Sequence, residues 1–357
     1  MDTRRIAFAL LGALCVDAYA ETPMTIYGTI DGGIRHVSNA TAAGDTLKMS
    51  SDGEFYNNRL GFKGSDNLGG GLHAHFQLEM GWNNGTGELD NDDGYLFQRY
   101  ALVGLDGDFG TVDFGRMPSL SCKVIYHYDP FAYHYVYTIP LAGASAGNEA
   151  ASTPPFGTMG GTRLNNDIQY IGKSNDWMFG AEYSFGEAQG STRNGATQAV
   201  AALYNGGALA IGGAYTMQRP DISLGASPDY RNQYQTTLGA SYQLSKDVRL
   251  SVGYIRATID TPSLARINST RNIWAGASYK LTPTIGVSFA YYRTTLEMAG
   301  EEIARRNFAI LGTTYALSKR TSLYFDLDRT ELTGAVALTP GRQTVQIGTS
   351  LGIYHAF

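Results

Sequence analysis

The chain has 357 residues, with 27 Lys plus Arg against 32 Asp plus Glu, for a formal net charge of -5. That mild acidic balance argues against a nucleic-acid partner, and beyond residue 20 no apolar run is long enough for a transmembrane helix. The 24 Tyr and 44 Gly fit many strands, tight turns and interfacial aromatic girdles instead.

The first twenty residues read as a signal peptide, residues 1–20. Arg4 and Arg5 give the charged end, Ile6 to Val16 the apolar stretch, and Ala18-Tyr19-Ala20 a small-x-small cleavage site. Residues 21–357 form the exported chain, which keeps a single cysteine, Cys122, so no disulfide forms within it. Cys122 reads as a small buried residue.

From Met24 onward, apolar and polar residues alternate with the period of two that marks a strand with unlike faces. Ile26, Gly28, Ile30, Gly32 and Ile34 share one face; Thr25, Tyr27, Thr29, Asp31 and Arg35 share the other. Leu60 and Phe62 oppose Arg59 and Lys63. In the cleanest case Leu72, Ala74, Phe76, Leu78, Met80 and Trp82 oppose His73, His75, Gln77 and Glu79. Tyr100 and Leu102 are expected outward against Arg99 and Ala101, and Val112 and Phe114 against Thr111 and Asp113. After a long irregular region come Ile168 and Tyr170, then Trp177 to Phe185, and then four hairpins up to Leu327. The last strand carries Val345, Ile347, Thr349, Leu351 and Ile353 and ends on Phe357, as aromatic residues do at membrane interfaces.

Seven connections are short and rich in turn residues, such as Asn205-Gly206-Gly207 and Thr282-Pro283-Thr284. Eight are longer and polar, at about residues 38–57, 83–94, 117–165, 186–197, 216–232, 257–271, 293–306 and 329–342, and the two kinds alternate. Fifteen connections join sixteen strands. The rhythm predicts an all-β fold: a sixteen-stranded antiparallel transmembrane β-barrel with short periplasmic turns and long outer loops. At that strand number side chains do not fill the interior, and a water-filled lumen remains. A soluble sandwich would have about half as many strands per domain and no such rhythm.

Several runs resemble the trimeric general porins of Gram-negative bacteria, closest to the β-proteobacterial type. They are Thr25-Ile26-Tyr27-Gly28-Thr29-Ile30-Asp31, Asn58-Arg59-Leu60-Gly61-Phe62-Lys63-Gly64, Leu68-Gly69-Gly70-Gly71-Leu72, and Phe109-Gly110-Thr111-Val112-Asp113-Phe114-Gly115-Arg116. Arg163-Leu164-Asn165-Asn166-Asp167-Ile168-Gln169-Tyr170 and the terminal Phe357 complete the set. Two departures stand out. Tyr354 and Ala356 occupy places usually held by arginine, and the third long connection is unusually aromatic, from Tyr126 to Tyr137.

The resemblance implies an outer-membrane homotrimer in contact with lipid and lipopolysaccharide, passing small hydrophilic solutes and ions, with no cofactor. It further implies that the third connection, about 117–165, folds into the barrel as a constriction loop; Pro155-Phe156-Gly157 is similar to a turn of that loop. Arg59 and Arg99 point inward by parity, and Lys63 lies on the face of Arg59. By resemblance they form a basic ladder facing the loop, with Arg116 and Arg163 near its two ends. The loop supplies Asp129 and Glu149 as acids, and Lys123 as a cation. The expected constriction is neutral to anion-favouring. Two readings of the arginines stand side by side: free charges in the lumen, or braces of the wall through Asp31, Glu79, Asp113, Glu182, Asp326 or Asp328.

His73 and His75 read as polar residues facing the lumen rather than metal ligands, since no further ligands accompany them. An outer-membrane enzyme would need a nucleophile and base held together. His127 or His134 beside Asp129 is all the sequence offers. An adhesin acting through its outer loops is the third class, and the loops show no repeat or ligand motif.

Overall fold

The computed structural model describes residues 24–41, 43–50, 55–91, 94–132, 134, 162–219, 232–260, 267–334 and 344–357. The expected signal peptide, Glu149 and Pro155-Phe156-Gly157 lie outside them. The strands are β1 (Thr25–Thr41), β2 (Gly44–Ser50), β3 (Arg59–Gly69), β4 (Leu72–Met80), β5 (Tyr100–Gly107), β6 (Gly110–Pro118), β7 (Arg163–Ser174), β8 (Trp177–Ser184) and β9 (Thr197–Gly206). They continue with β10 (Leu209–Gln218), β11 (Gln233–Gln243), β12 (Val248–Ile259), β13 (Ile267–Lys280), β14 (Ile285–Met298), β15 (Glu301–Ala316), β16 (Thr321–Gly334) and β17 (Val345–Ala356). One helix, α1 (Leu120–Ile125), follows β6.

Neighbours in sequence pair antiparallel except β2 and β3, and β1 closes the sheet on β17, from Thr29 opposite Ala356 to Val37 opposite Gly348. Closure leaves no strand edge for lipid to meet. Seventeen strands make sixteen staves, because β2 and β3 share one. β2 pairs with the far part of β1 (Ile34 opposite Met49), and β3 with the near part (Thr25 opposite Lys63). The break between them is held by Asp31. Its carboxylate accepts the backbone N–H of Phe55 at 2.9 Å and of Tyr56 at 2.7 Å, and the hydroxyl of Tyr324 at 2.7 Å.

Two expected long connections are therefore strand. Residues 38–57 contain the β1–β2 hairpin, and 293–306 contain the ends of β14 and β15, joined by Ala299 and Gly300, both at positive φ. Polar residues continue these strands beyond the apolar band, so composition marks them as loop although the ladder runs on. The seven short turns lie at the end of the barrel that holds both Thr25 and Ala356, but the first, expected over residues 64–70, is strand up to Gly69 and turns only at Gly70-Gly71.

Outward residues are apolar as expected, with Ile30, Phe179, Val200, Val252, Phe289 and Leu351 all exposed. The exception is β5. Tyr100 pairs with Glu79 and Leu102 with Gln77, both on the inward face, while Val103 and Leu105 are exposed. Apolar residues on both sides of this strand leave the alternation without contrast, and the expected facing is reversed.

The inward face of the wall is also not uniformly polar. Leu203, Ile255, Trp274, Tyr292, Phe308 and Ile310 form one buried cluster with Leu120, Val124, Ile125, Tyr128 and Phe131 of the segment after β6.

Candidate functional site: a basic cavity beside the segment after β6

The segment is positioned from its first residue. Ser119 caps α1, its Oγ accepting the Cys122 N–H at 3.3 Å, and Glu182 Oε2 on β8 accepts the Leu120 N–H at 2.9 Å. The Lys123 ammonium donates to Gln169 Oε1 on β7, and the Gln169 amide reaches Glu182 at 2.8 Å. Burial pushes the Lys123 ammonium below the ordinary lysine range, while Asp113, Glu182 and Asp167 pull it up.

The chain then crosses several staves. The His127 carbonyl accepts from Ser241 Oγ at 2.8 Å and from Arg249, and the Trp274 indole donates to the Tyr128 carbonyl at 3.3 Å. Tyr292 donates to Asp129 at 2.8 Å, and Ser278 Oγ to the Pro130 carbonyl at 2.9 Å. Gly239 and Gly276 make the approach possible: a Cβ would run into the Tyr128 ring at the first and into Pro130 at the second. His134 packs on Tyr56 and Phe55, with ring centroids 4.4 and 4.9 Å apart. Burial and the nearby Arg59 charge push its imidazole down to about 4.

Two cavities flank this segment, and Ala132 lines both. The larger, about 480 Å³, is lined by Arg59, Arg99, Lys123, Arg163 and Lys173, with Tyr56, Tyr100 and Tyr126, and no carboxylate lines it among the described residues. Of these five cations only Arg99 forms an ion pair among the described residues, with Glu79 at 2.7 Å. The Glu79 carboxylate also accepts the Tyr27 hydroxyl at 2.9 Å. Arg59 lies over the Tyr56 ring, 4.1 Å from its centroid, and donates to the Asn57 carbonyl at 3.3 Å. Arg163 donates to the Arg99 carbonyl at 2.8 Å.

The structure thus brings together Arg59, Arg99, Lys123 and Arg163 of the expected set. Lys63 and Arg116 do not line the cavity. Lys63 sits 5.3 Å from the Tyr27 ring centroid, and Arg116 braces the Gln98 carbonyl and Asn165. Asp129 does not line it either: it is fully buried beneath the segment, bonded to Tyr292 and to the Phe131 N–H. Arg99 reaches the cavity because it precedes β5, at the bend where its N–H meets the Glu79 carbonyl; strand parity does not place it there. Parity alone gave no sign of Tyr100. Lys173, expected in the turn at 173–176, lies in β7 and lines the cavity, where the period of two continued from Gln169 would have placed it inward; Cys122 is half-buried and lines the cavity rather than lying wholly in the core. His75 is held between Asp113 at 2.7 Å and Asp106 at 3.2 Å, and His73 lies 3.4 Å from Asp106.

A family model described as Gram-negative porin matches residues 7–335. The solved structure of an anion-selective porin from Comamonas acidovorans is similar at 26% identity, with a TM-score of 0.76, over 94% of this chain and 100% of that one. Outer membrane porin protein 32 of Delftia acidovorans is 31% identical over 252 residues, covering 64% of this chain and 66% of that protein. An outer membrane porin of Bordetella pertussis is 34% identical over 199 residues, 52% of this chain. The match spans 48% of the Bordetella protein, about half its length. With its closed sixteen-stave barrel and a family match over most of its length, the chain belongs to the Gram-negative porin family of outer-membrane proteins.

Proposed function

We propose that the protein is a passive, water-filled diffusion channel for small hydrophilic solutes and ions, and that it favours anions. The carrying observation is the cavity lined by Arg59, Arg99, Lys123, Arg163 and Lys173 and by no carboxylate among the described residues. Fixed cations at a narrow passage attract anions and repel cations over roughly the Debye length of about 8 Å. The similar Comamonas porin is described as anion-selective, which agrees with this reading.

The segment after β6 is the constriction loop in this reading. Its contacts with inward residues of β8 to β14, and the cavity on each side of it, support that role. Three copies assemble into a trimer through the outward faces of β1, β2 and β17, where Ile26, Ile30, Ile34, Met49 and Leu351 are exposed. No step of passive diffusion requires a cofactor.

The test is a planar-bilayer recording of the purified protein across a potassium chloride gradient. Conductance in steps of three, with a reversal potential of anion sign, is the expected result. A cation-sign potential overturns the preference, and folded, inserted protein without conductance overturns the channel.

A further inference from the structure

The larger cavity beside the segment is not lined by cations alone. Next to its five cations stand Tyr56, Tyr100, Tyr126, Ile171 and Met178. Ile171 of β7 and Met178 of β8 pack on the buried cluster beneath the segment and give the cavity an apolar floor. Tyr126 ends α1 and is 50% exposed; His127 meets its ring edge-on, with centroids 6.1 Å apart. Tyr126 stands one helical turn beyond Lys123, and both line the cavity, so a ring and an ammonium enter it side by side. A further group of rings continues from Tyr56. His134 meets it edge-on at 4.4 Å, and Tyr354 faces it at 6.0 Å. Tyr354, in a place usually held by arginine, is opposite the inward Asp31 in register and close to Ala356 at the short-turn end. Where a further cation would extend the basic wall, the chain has a ring.

Inorganic anions have no use for such a lining. Fixed cations attract chloride, which gains nothing from tyrosine or methionine, and apolar surface held open in a watery passage is unfavourable. Small-molecule sites, by contrast, are largely apolar clefts of about 300–1,000 Å³ with a few placed polar groups. This cavity, of about 480 Å³, is of that kind.

We infer that, within the anion channel proposed above and resting on that reading, this cavity selects aromatic carboxylates over aliphatic acids of the same charge. Guanidinium groups match a carboxylate with N–H donors in a fixed fork, and Arg59 and Arg163 bring them to the cavity. An aromatic ring packs on tyrosine offset or edge-on, and a thioether sulfur is favourable at a ring edge. Tyr126 and Met178 supply those two contacts. An aliphatic acid meets the same cations but leaves the rings in water. Tyr354 then offers the next ring toward the short-turn end.

The test records chloride current through the purified protein in a planar bilayer and measures the concentration of benzene-1,3-dicarboxylate, or of pentanedioate, that halves it. The two acids carry the same charge and space their carboxylates by the same number of carbons. The aromatic acid is expected to block the wild type at about tenfold lower concentration. Tyr126→Leu, which keeps an apolar side chain and removes the ring, is expected to cut that ratio to about twofold, and Tyr126→Phe to retain it. Equal block by the two acids overturns the proposal, as does a wild-type ratio in Tyr126→Leu or a lost ratio in Tyr126→Phe. In each of these cases an anion-sign chloride potential leaves the channel reading standing. A wild type that inserts and passes no chloride current overturns both.

Discussion

The Tyr292 hydroxyl on β14 donates to Asp129 Oδ1 at 2.8 Å, joining the segment after β6 to a stave 163 positions away in the chain. Asp129 Oδ2 meanwhile accepts the Phe131 N–H at 3.1 Å, so one buried carboxylate both shapes the segment and anchors it. Removing one partner of a buried, hydrogen-bonded carboxylate costs about 1–3 kcal/mol or more, which falls on the segment because the wall has its own ladder. Tyr292→Phe is expected to raise single-channel conductance and current noise while the barrel keeps its resistance to detergent unfolding. Unchanged current traces would remove the anchoring role.

The glycines beneath the segment give a second test of the same contact. Gly239→Val places a branched side chain where the Tyr128 ring lies, and backbone on a closed ladder does not retreat to make room. The expected outcome is a displaced segment and a larger conductance, with unchanged strand content by circular dichroism.

Arg59 and Arg99 differ in what stands beside them. Arg59→Gln removes a cation that forms no ion pair among the described residues, and is expected to move the reversal potential toward cations at little cost in stability. Arg99→Gln moves it the same way but strands the buried Glu79 carboxylate, at a cost of roughly 3–5 kcal/mol. Glu79→Gln moves it toward anions. A salt-gradient recording paired with a thermal melt separates the three.

His134 makes the docked segment sensitive to acid. Its docked imidazole titrates at about 4 against an ordinary 6.5, because burial and Arg59 disfavour its charged form. A lowered histidine value means that the released segment takes up the proton first. The docking contribution of His134 is thus complete above about 6.5 and is lost progressively as pH falls toward about 4. Conductance is expected to change over that window in the wild type and to be flatter in His134→Phe; equal pH profiles would exclude His134 as the sensor.

Barrel closure rests in part on Arg35 and Asp328. The guanidinium meets both carboxylate oxygens, at 2.7 and 3.2 Å, and also Ser350 Oγ at 2.9 Å, spanning β1, β16 and the intervening β17. Both side chains are buried. Asp328→Asn removes the carboxylate charge that meets the guanidinium, and is expected to lower stability by about 3–5 kcal/mol, read as an earlier loss of heat-resistant mobility on gels.

The sequence by itself determined the architecture. Strand number, the short turns and most facings follow from a period of two and from turn residues, which are local properties read within about ten positions. Inward Arg59 and Asp113 were legible on that ground, as were outward Ile30 and Leu351. Where local contrast fails, so does the reading: β5 has apolar residues on both faces, and the polar ends of β14 and β15 resemble loops. The tertiary structure decided the rest, because it depends on residues that meet only when the sheet closes. Trp274, Tyr292 and Phe308 are inward apolar residues whose use appears only when the segment after β6 lies on them. Asp129 becomes an anchor rather than a lining charge because Tyr292 waits above it.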